Sequence, residues 1–564
     1  MEVKTVARTR RRLRNGTVCI AAAILLILSS LSFVSGQDKF GDVYAIKAGR
    51  IVTVTQGIIH NGMIIIRDGI IEAVGRDLVI PVEAEIIEED TMVVYPGLID
   101  AQTSLALVKT EKKEQPTQAG AQPSRIPAGP SPTMMSPEKL SADMLNPKDT
   151  GIKKVRETGV TTVLTVPDQG IFIGQSALIN LQGDKPEEMI LKSPVAMHLG
   201  YSRQRGVYPS TLMAVIAFQH QSLLDAQYHK LQWDRYNKQK RGWRRPQPNK
   251  SLDALLPALE GQQPVIILAN RENEMKRALK LADEYNLDYI LSGAVEGWRV
   301  VDMLKARMKP ILVSLNFPKP ESVTGYSFQL KIEGPSKEKE KEMAELYANA
   351  GVLHKAGIKF AFTSGSLKKP ADFIKNAAKT IEYGLPKEEA LKALTIYPAQ
   401  IFGIADQIGS IEEGKIANLI LTTRELFDEK NRVKYVFVDG KKIKIKEPKK
   451  KKAEGEPEVN VSGTWDITIT SSMGDVSVTI TLTQSGSDVT GEFKSEVGST
   501  SVYDGSVGGN EIQFSVKLPI GDQPVELVFN GTVEEDTMEG TIDLGEMGSA
   551  EWEGTKTSGP DLRF

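Results

Sequence analysis

The residues able to do chemistry are few and scattered. Five histidines occur in 564 residues: His60, His198, His220, His229 and His354. A catalytic zinc takes three protein ligands, so the grouping of these five decides whether one can be held. His220 and His229 stand nine apart in the polar helical stretch AFQHQSLLDAQYHK. That separation does not bring two side chains together, and both read as surface residues. His354 lies in another helical pattern, YANAGVLHKAGI, and His198 ends the apolar run PVAMHLG without a companion, as a structural residue would. Oxygen chemistry is better represented. Asp168, Asn270, Arg271 and Glu296 each follow an apolar run. Glu296 is the candidate general acid or base, with Arg271 opposite it and Asp168 and Asn270 as further catalytic candidates. No Ser-His-Asp spacing, G-x-S-x-G or phosphate loop accompanies them.

The elements that must position these residues are set by hydropathy patterning. Residues 40–94 hold short runs with strand character, VYAIKAGRIVTVT, GMIIIRDGIIEAVG and AEIIEEDTMVVY, separated by glycine turn signals. Eight apolar runs come next: VVYPGLID, VTTVLTVP (160–167), SALINLQG (176–183), PVAMHLG (194–200), PVIILAN (264–270), DYILSG (288–293), KPILVSL (309–315) and KFAFTSG (359–365). Continuous apolar runs separated by helices are the mark of buried parallel strands. ENEMKRALKLADEY (272–285), with Met275, Leu279 and Ala282 on one face, is the clearest helix between them. Eight such strands alternating with helices predict a (β/α)8 TIM barrel over 95–404. Lys109 to Asp149, rich in Pro, Gln, Ser and Lys, reads as a disordered insertion near the barrel's C-terminal face.

After the barrel, 405–445 returns to strand pattern and is expected to complete, with 40–94, a small composite β-sandwich. Residues 446–458 are a charged linker. Residues 459–564 alternate apolar and polar with regular turn signals, which predicts a separate all-β barrel or sandwich. Trp465, Phe493, Phe514, Phe529 and Trp552 are expected to fill its core.

Bulk properties exclude some functions. The formal net charge is −2, which gives no electrostatic case for nucleic acid or an anionic membrane. The one cysteine, Cys19, lies in the N-terminal apolar run, so neither a disulfide nor a thiolate site is expected. Arg8, Arg10, Arg11, Arg12 and Arg14 precede an uncharged stretch from Val18 to Val34, with small residues after it. This predicts a signal peptide over 1–36 and an exported chain, periplasmic or secreted. Uncleaved, the same segment would be an anchor and the chain's one link to a membrane.

Several motifs together carry a resemblance. AGRIVTV, IIIRDGIIEAVG, YPGLIDAQTSL, RETGVTTVLTVP, LTIYPAQIFGIADQIGSIEEGKIANLIL and VKYVFVDGKKI are similar to the amidohydrolase superfamily, near its imidazolonepropionase-like and dihydroorotase-like branches. The resemblance covers about 400 residues, 40–445. It implies a TIM barrel, a small sandwich from both flanks, zinc, and hydrolysis of C–N bonds other than peptide bonds. The zinc would lower the pKa of a bound water and polarise a carbonyl. At the positions where the family carries metal ligands and the general base, this chain has Gln102, Ser104, Leu268, Gly293 and Gly365. Gln and Ser are poor oxygen donors, and Leu and Gly side chains offer none. No bound cofactor is therefore expected. The resemblance without its ligands implies a binding or scaffold protein with a small-molecule ligand in the barrel mouth, or a subunit of a homo-oligomer or of an active relative. The alternative is a hydrolase of amide or cyclic-amide substrates with a non-standard site.

Overall fold

A computed structural model describes residues 42–108, 134–203, 208–317, 337–365, 367–445 and 457–558, apart from 472–473, 496–497, 521–522 and 544–548. The expected signal peptide and nearly all of the charged linker lie outside the described residues. The chain divides into two units, Met1–Ile445 and Lys446–Phe564.

The first unit opens with β1 (Val43–Val52), β2 (Ile58–Arg67), β3 (Ile70–Gly75) and β4 (Glu85–Pro96). The barrel strands begin with β5 (Leu98–Thr103), β6 (Val160–Thr165), β7 (Phe172–Gln175), β8 (Ala177–Asn180), β9 (Ile190–Lys192) and β10 (Met197–Leu199). β11 (Val265–Ala269), β12 (Tyr289–Gly293), β13 (Ile311–Ser314) and β14 (Phe360–Thr363) complete them. The chain then returns to the first sheet with β15 (Leu419–Thr422), β16 (Val433–Val438) and β17 (Lys441–Lys444).

Both flanks join in one seven-stranded sheet, ordered β17-β16-β15-β4-β1-β2-β3. Two Asp-Gly turns shape it. Asp68-Gly69 and Asp439-Gly440 take positive φ at both residues, as a two-residue hairpin turn with right-handed strand twist requires. The turns pack on each other so closely that a Cβ on Gly440 would sit 2.3 Å from the Gly69 Cα. A buried polar chain fixes the sheet to the barrel. Thr162 Oγ1 and Asn418 Nδ2 donate to Asn180 Oδ1 at 2.7 and 2.9 Å, and Asp439 N donates to Asn418 Oδ1 at 2.9 Å.

The barrel is TIM-barrel-like with one departure. β10 to β14 run parallel in sequence order, and β5 pairs parallel with β6. The run expected as a third parallel strand, 176–183, is antiparallel: β8 pairs antiparallel with β6, and β7, just before it, pairs antiparallel with β10. The cause is connector length. Only residues 166–171 separate β6 from β7. A parallel return needs a crossover of roughly a dozen residues or more, so this chain must double back. A glycine at 174 with φ of 129° lies within the returning segment, where a Cβ would meet the Lys139 carbonyl at 2.8 Å.

The expected disordered insertion also needs correction. Residues 109–133 lie outside the described residues, but 134–149 is ordered. It forms a short 3-10 helix, Ser141–Met144, and buries Met134 and Leu145. Backbone bonds from Ile171 and Phe172 to the Met134 carbonyl hold it to the barrel. Two apolar anchors thus order a segment whose average composition is polar.

The second unit is a closed antiparallel barrel: β18 (Gly463–Ser471), β19 (Gly474–Ser485), β20 (Asp488–Ser495), β21 (Gly498–Gly508), β22 (Glu511–Ile520), β23 (Gln523–Glu534), β24 (Thr537–Asp543) and β25 (Ser549–Ser558). Each strand pairs with the next, and β18 pairs with β25. Closure leaves no free sheet edge. The interior is apolar, with Phe514 and Phe529 stacked at 4.6 Å and Trp552 edge-on to both. No helix among the described residues is long and apolar enough to cross a membrane.

Candidate functional site

A cavity of about 570 Å³ opens at the C-terminal ends of the barrel strands. It gathers all five positions singled out from the sequence: Gln102, Ser104, Leu268, Gly293 and Gly365. Asp168, Asn270 and Glu296 line it as well, as does Arg271. Residues as distant in sequence as Gln102 and Gly365 therefore meet in one place, because the parallel strands of a TIM-like barrel deliver their last residues to the same rim.

The side chains at the rim are bonded to each other. Gln102 Oε1 accepts a 2.5 Å bond from Ser292 Oγ across the barrel. Thr363 Oγ1 donates to the Gln102 carbonyl at 2.5 Å, and Ser364 N donates to Asp100 Oδ1 at 2.9 Å. These last two bonds join the first strand to the last. Asp100 also accepts from Gln102 N at 3.2 Å. Its carboxyl is pushed up to about 6 by burial, against the opposing effect of these bonds.

The two glycines are filled from the side. Gly293 has φ of 95°, and a Cβ there would lie 2.2 Å from Asn270 Oδ1. Gly365 has φ of 53°, and a Cβ there would lie 2.1 Å from Ser314 Oγ. Asn316 Nδ2 donates to the Gly365 carbonyl at 2.8 Å. Neighbouring polar side chains thus occupy the space that larger residues at 293 and 365 would need.

The catalytic candidates share the cavity but differ in freedom. Glu296 Oε2 accepts from Glu272 N at 2.8 Å, at the start of the Glu272–Tyr285 helix. This is the bond a helix N-terminus needs for its unsatisfied N–H groups, so one oxygen of Glu296 has a structural task. Asn270 exchanges backbone bonds nearby, donating to Glu274 Oε2 and accepting from Glu296 N. Asp168 is exposed on the rim.

The histidines lie elsewhere. His198 is 1% exposed within β10, opposite Ile266 of β11 in the parallel register. Burial lowers its imidazole to about 3, so it is neutral. His229, expected at the surface, is instead buried, with Nε2 2.9 Å from Asp253 Oδ1. The reason is helix phase: Ser222, Ala226 and His229 lie on the inner face of the Leu212–Lys238 helix. His220 lies beside Tyr285 and Glu284, and His354 beside Glu389.

Sequence reading passed over Ser292, Ser314, Asn316 and Thr363, which line the same cavity. The signal was present. Each is the polar residue that ends or comes just after an apolar strand: YILS, ILVSLN and FAFT.

The first unit is thus a TIM-like barrel with a strand-built polar mouth, flanked by a composite sheet. The sequence model described as the amidohydrolase family matches residues 268–443. A crystal structure of an amidohydrolase from Thermotoga maritima MSB8 aligns with 72% of this chain and 100% of its own, with a TM-score of 0.58 and 23% identity. N-acetylglucosamine-6-phosphate deacetylase of Haemophilus influenzae is 48% identical over 50 residues, 9% of this chain. That stretch is 13% of the deacetylase. Over residues 268–443 the chain is similar in sequence to the amidohydrolase family, and its first unit shares that fold.

Proposed function

We propose that this chain is an exported, ligand-binding member of the superfamily that does not carry out metal-assisted hydrolysis. The supporting observation is that Gln102, Ser104, Leu268, Gly293 and Gly365 line one cavity without supplying an imidazole or a carboxylate. These residues do not fit a hydrolytic cation. Catalytic zinc needs three nitrogen, sulfur or carboxylate ligands. The Gln102 side-chain oxygen, Oε1, accepts from Ser292, and the spaces beside both glycines hold Asn270 and Ser314. Among the described residues, no three His, Cys, Asp or Glu side chains are grouped to hold a metal.

The ligand this mouth suits is uncharged and rich in hydrogen-bonding groups. Hydroxyl and amide side chains from β5, β12, β13 and β14 converge on it. Asp168, Glu296 and Glu342 carry negative charge into the lining against the single guanidinium of Arg271, which disfavours an anionic ligand. A hydrolase without metal would have to rest on Glu296, whose bond to the Glu272–Tyr285 helix speaks for positioning instead.

The deciding measurement is metal content. The purified chain is incubated with zinc or manganese, desalted and analysed for metal per chain. Far below one equivalent is expected. Close to one equivalent, lost in Gln102→Ala or His198→Ala, would overturn the proposal.

A further inference from the structure

The Leu212–Lys238 helix has apolar residues on two sides. Its inner face carries Val215, Phe218, Ala226 and His229. Its outer face carries an apolar stripe among polar residues such as Gln221 and Gln227: Met213 is 82% exposed, Leu224 51%, Tyr228 60% and Leu231 44%. Their spacing of eleven, four and three keeps them on one side of a 3.6-residue helix. Arg235 and Lys238 continue the same side at its C-terminal end.

The chain then enters an exposed loop, KQKRGWRRPQPNK. From Arg235 to Lys250 there are seven cations, Arg235, Lys238, Lys240, Arg241, Arg244, Arg245 and Lys250, and no carboxylate up to Leu252. Among the described residues none of the seven is in an ion pair. Arg245 stacks on Trp233, 5.8 Å from the ring centroid. Trp243 is 54% exposed in the middle of the cations.

We propose that this helix face and loop form a docking surface for an anionic lipid bilayer. Cations near such a surface are drawn to its negative potential, and tryptophan and tyrosine settle at the headgroup boundary. Exposed Met and Leu side chains gain by entering the acyl edge. Nucleic acid would use the cations and Trp243 but leaves the aliphatic stripe without a task. A second copy of the chain fits poorly on charge. Residues 208–224 contain no carboxylate, so neither a parallel nor an antiparallel pairing of these helices sets acids against the loop.

The test is co-sedimentation of the purified chain with vesicles of phosphatidylcholine, alone or with phosphatidylglycerol. The comparison is with K238Q/K240Q/R241Q/R244Q, which leaves the Arg245–Trp233 stack in place, and with Trp243→Ser. Each cation near an anionic surface contributes a roughly fivefold gain, so the fourfold variant should lose binding by roughly several hundredfold. Trp243→Ser should lose several-fold, and salt should weaken the parent. An uncleaved N-terminal segment would be the same in all three proteins and cancels in the comparison. Equal vesicle binding by parent and fourfold variant would overturn the proposal. So would charge-dependent binding of a single-stranded oligonucleotide with none to vesicles. An unchanged melting temperature in the variants confirms that binding, not folding, was altered.

Discussion

Asp100 is the residue through which the barrel's closure becomes sensitive to pH. It is 4% exposed and accepts N–H groups from both the first and the last strand regions. Its carboxyl in the folded chain lies at about 6, above its ordinary value of 3.8, because burial penalises the charge more than hydrogen bonding from Ser364, Gln102 and Thr363 favours it. The folded state therefore holds the proton more tightly than the unfolded one. This contribution to stability is full below about pH 4 and is lost as pH rises through 6. An Asp100→Asn variant lacks the effect. Compared with it, the parent should lose on the order of 2 kcal/mol between pH 4 and pH 7, measured as the difference in denaturant midpoints of the first unit. A difference that does not change with pH would show that Asp100 is charged at no cost. At this scale the sequence was partly legible. Gln102, Ser104, Leu268, Gly293 and Gly365 were placeable because framework motifs set their register. The Gln102–Ser292 bond was not, since it depends on which strands face each other across the barrel.

Elements were legible by existence and less so by direction. Each apolar run became a strand, because burial on both faces demands such a run. Hydropathy is blind to direction, however, and β8 reads the same up or down. The number of residues between β6 and β7 held the missing information. The ordering of 134–149 was hidden differently: Met134 and Leu145 are two contacts in a polar segment, and averaging erases them. The ends of β12 and β14 carry the next prediction. If the cavity had only lost its ligands, restoring one should be simple. Instead Gly293 has positive φ and Asn270 stands where its Cβ would go. Gly293→His should destabilise the first unit by about 2–4 kcal/mol, from left-handed strain plus overpacking. It should also bind no zinc, checked by elemental analysis beside a denaturation curve. A stable variant with tightly bound zinc would mean that the rim still keeps the geometry of a metal site.

Whole-molecule averages hid the most, as the net charge illustrates. A total of −2 argued against any anionic surface, yet seven cations collect between Arg235 and Lys250 without a carboxylate among them. Charges interact over about 10 Å at ordinary ionic strength, so a local excess acts as though the distant acids were absent. The division into two units has an analogous consequence for stability. The second unit has its own closed barrel and its own apolar interior. Phe529 lies at its centre, fully buried, stacked on Phe514 and edge-on to Trp552. Removing that ring leaves a cavity that strands on a closed barrel cannot readily collapse. Phe529→Ala should cost about 3–5 kcal/mol. The loss should fall on the second unit alone, because separate cores unfold as separate cooperative transitions. Trp465 and Trp552 report on that unit, whereas Trp233, Trp243 and Trp298 belong to the first. Scanning calorimetry of the parent should show two transitions, and the variant should lower one of them. A joint shift of both would mean that the units fold as one, and the appended barrel would then be a stabiliser of the first unit.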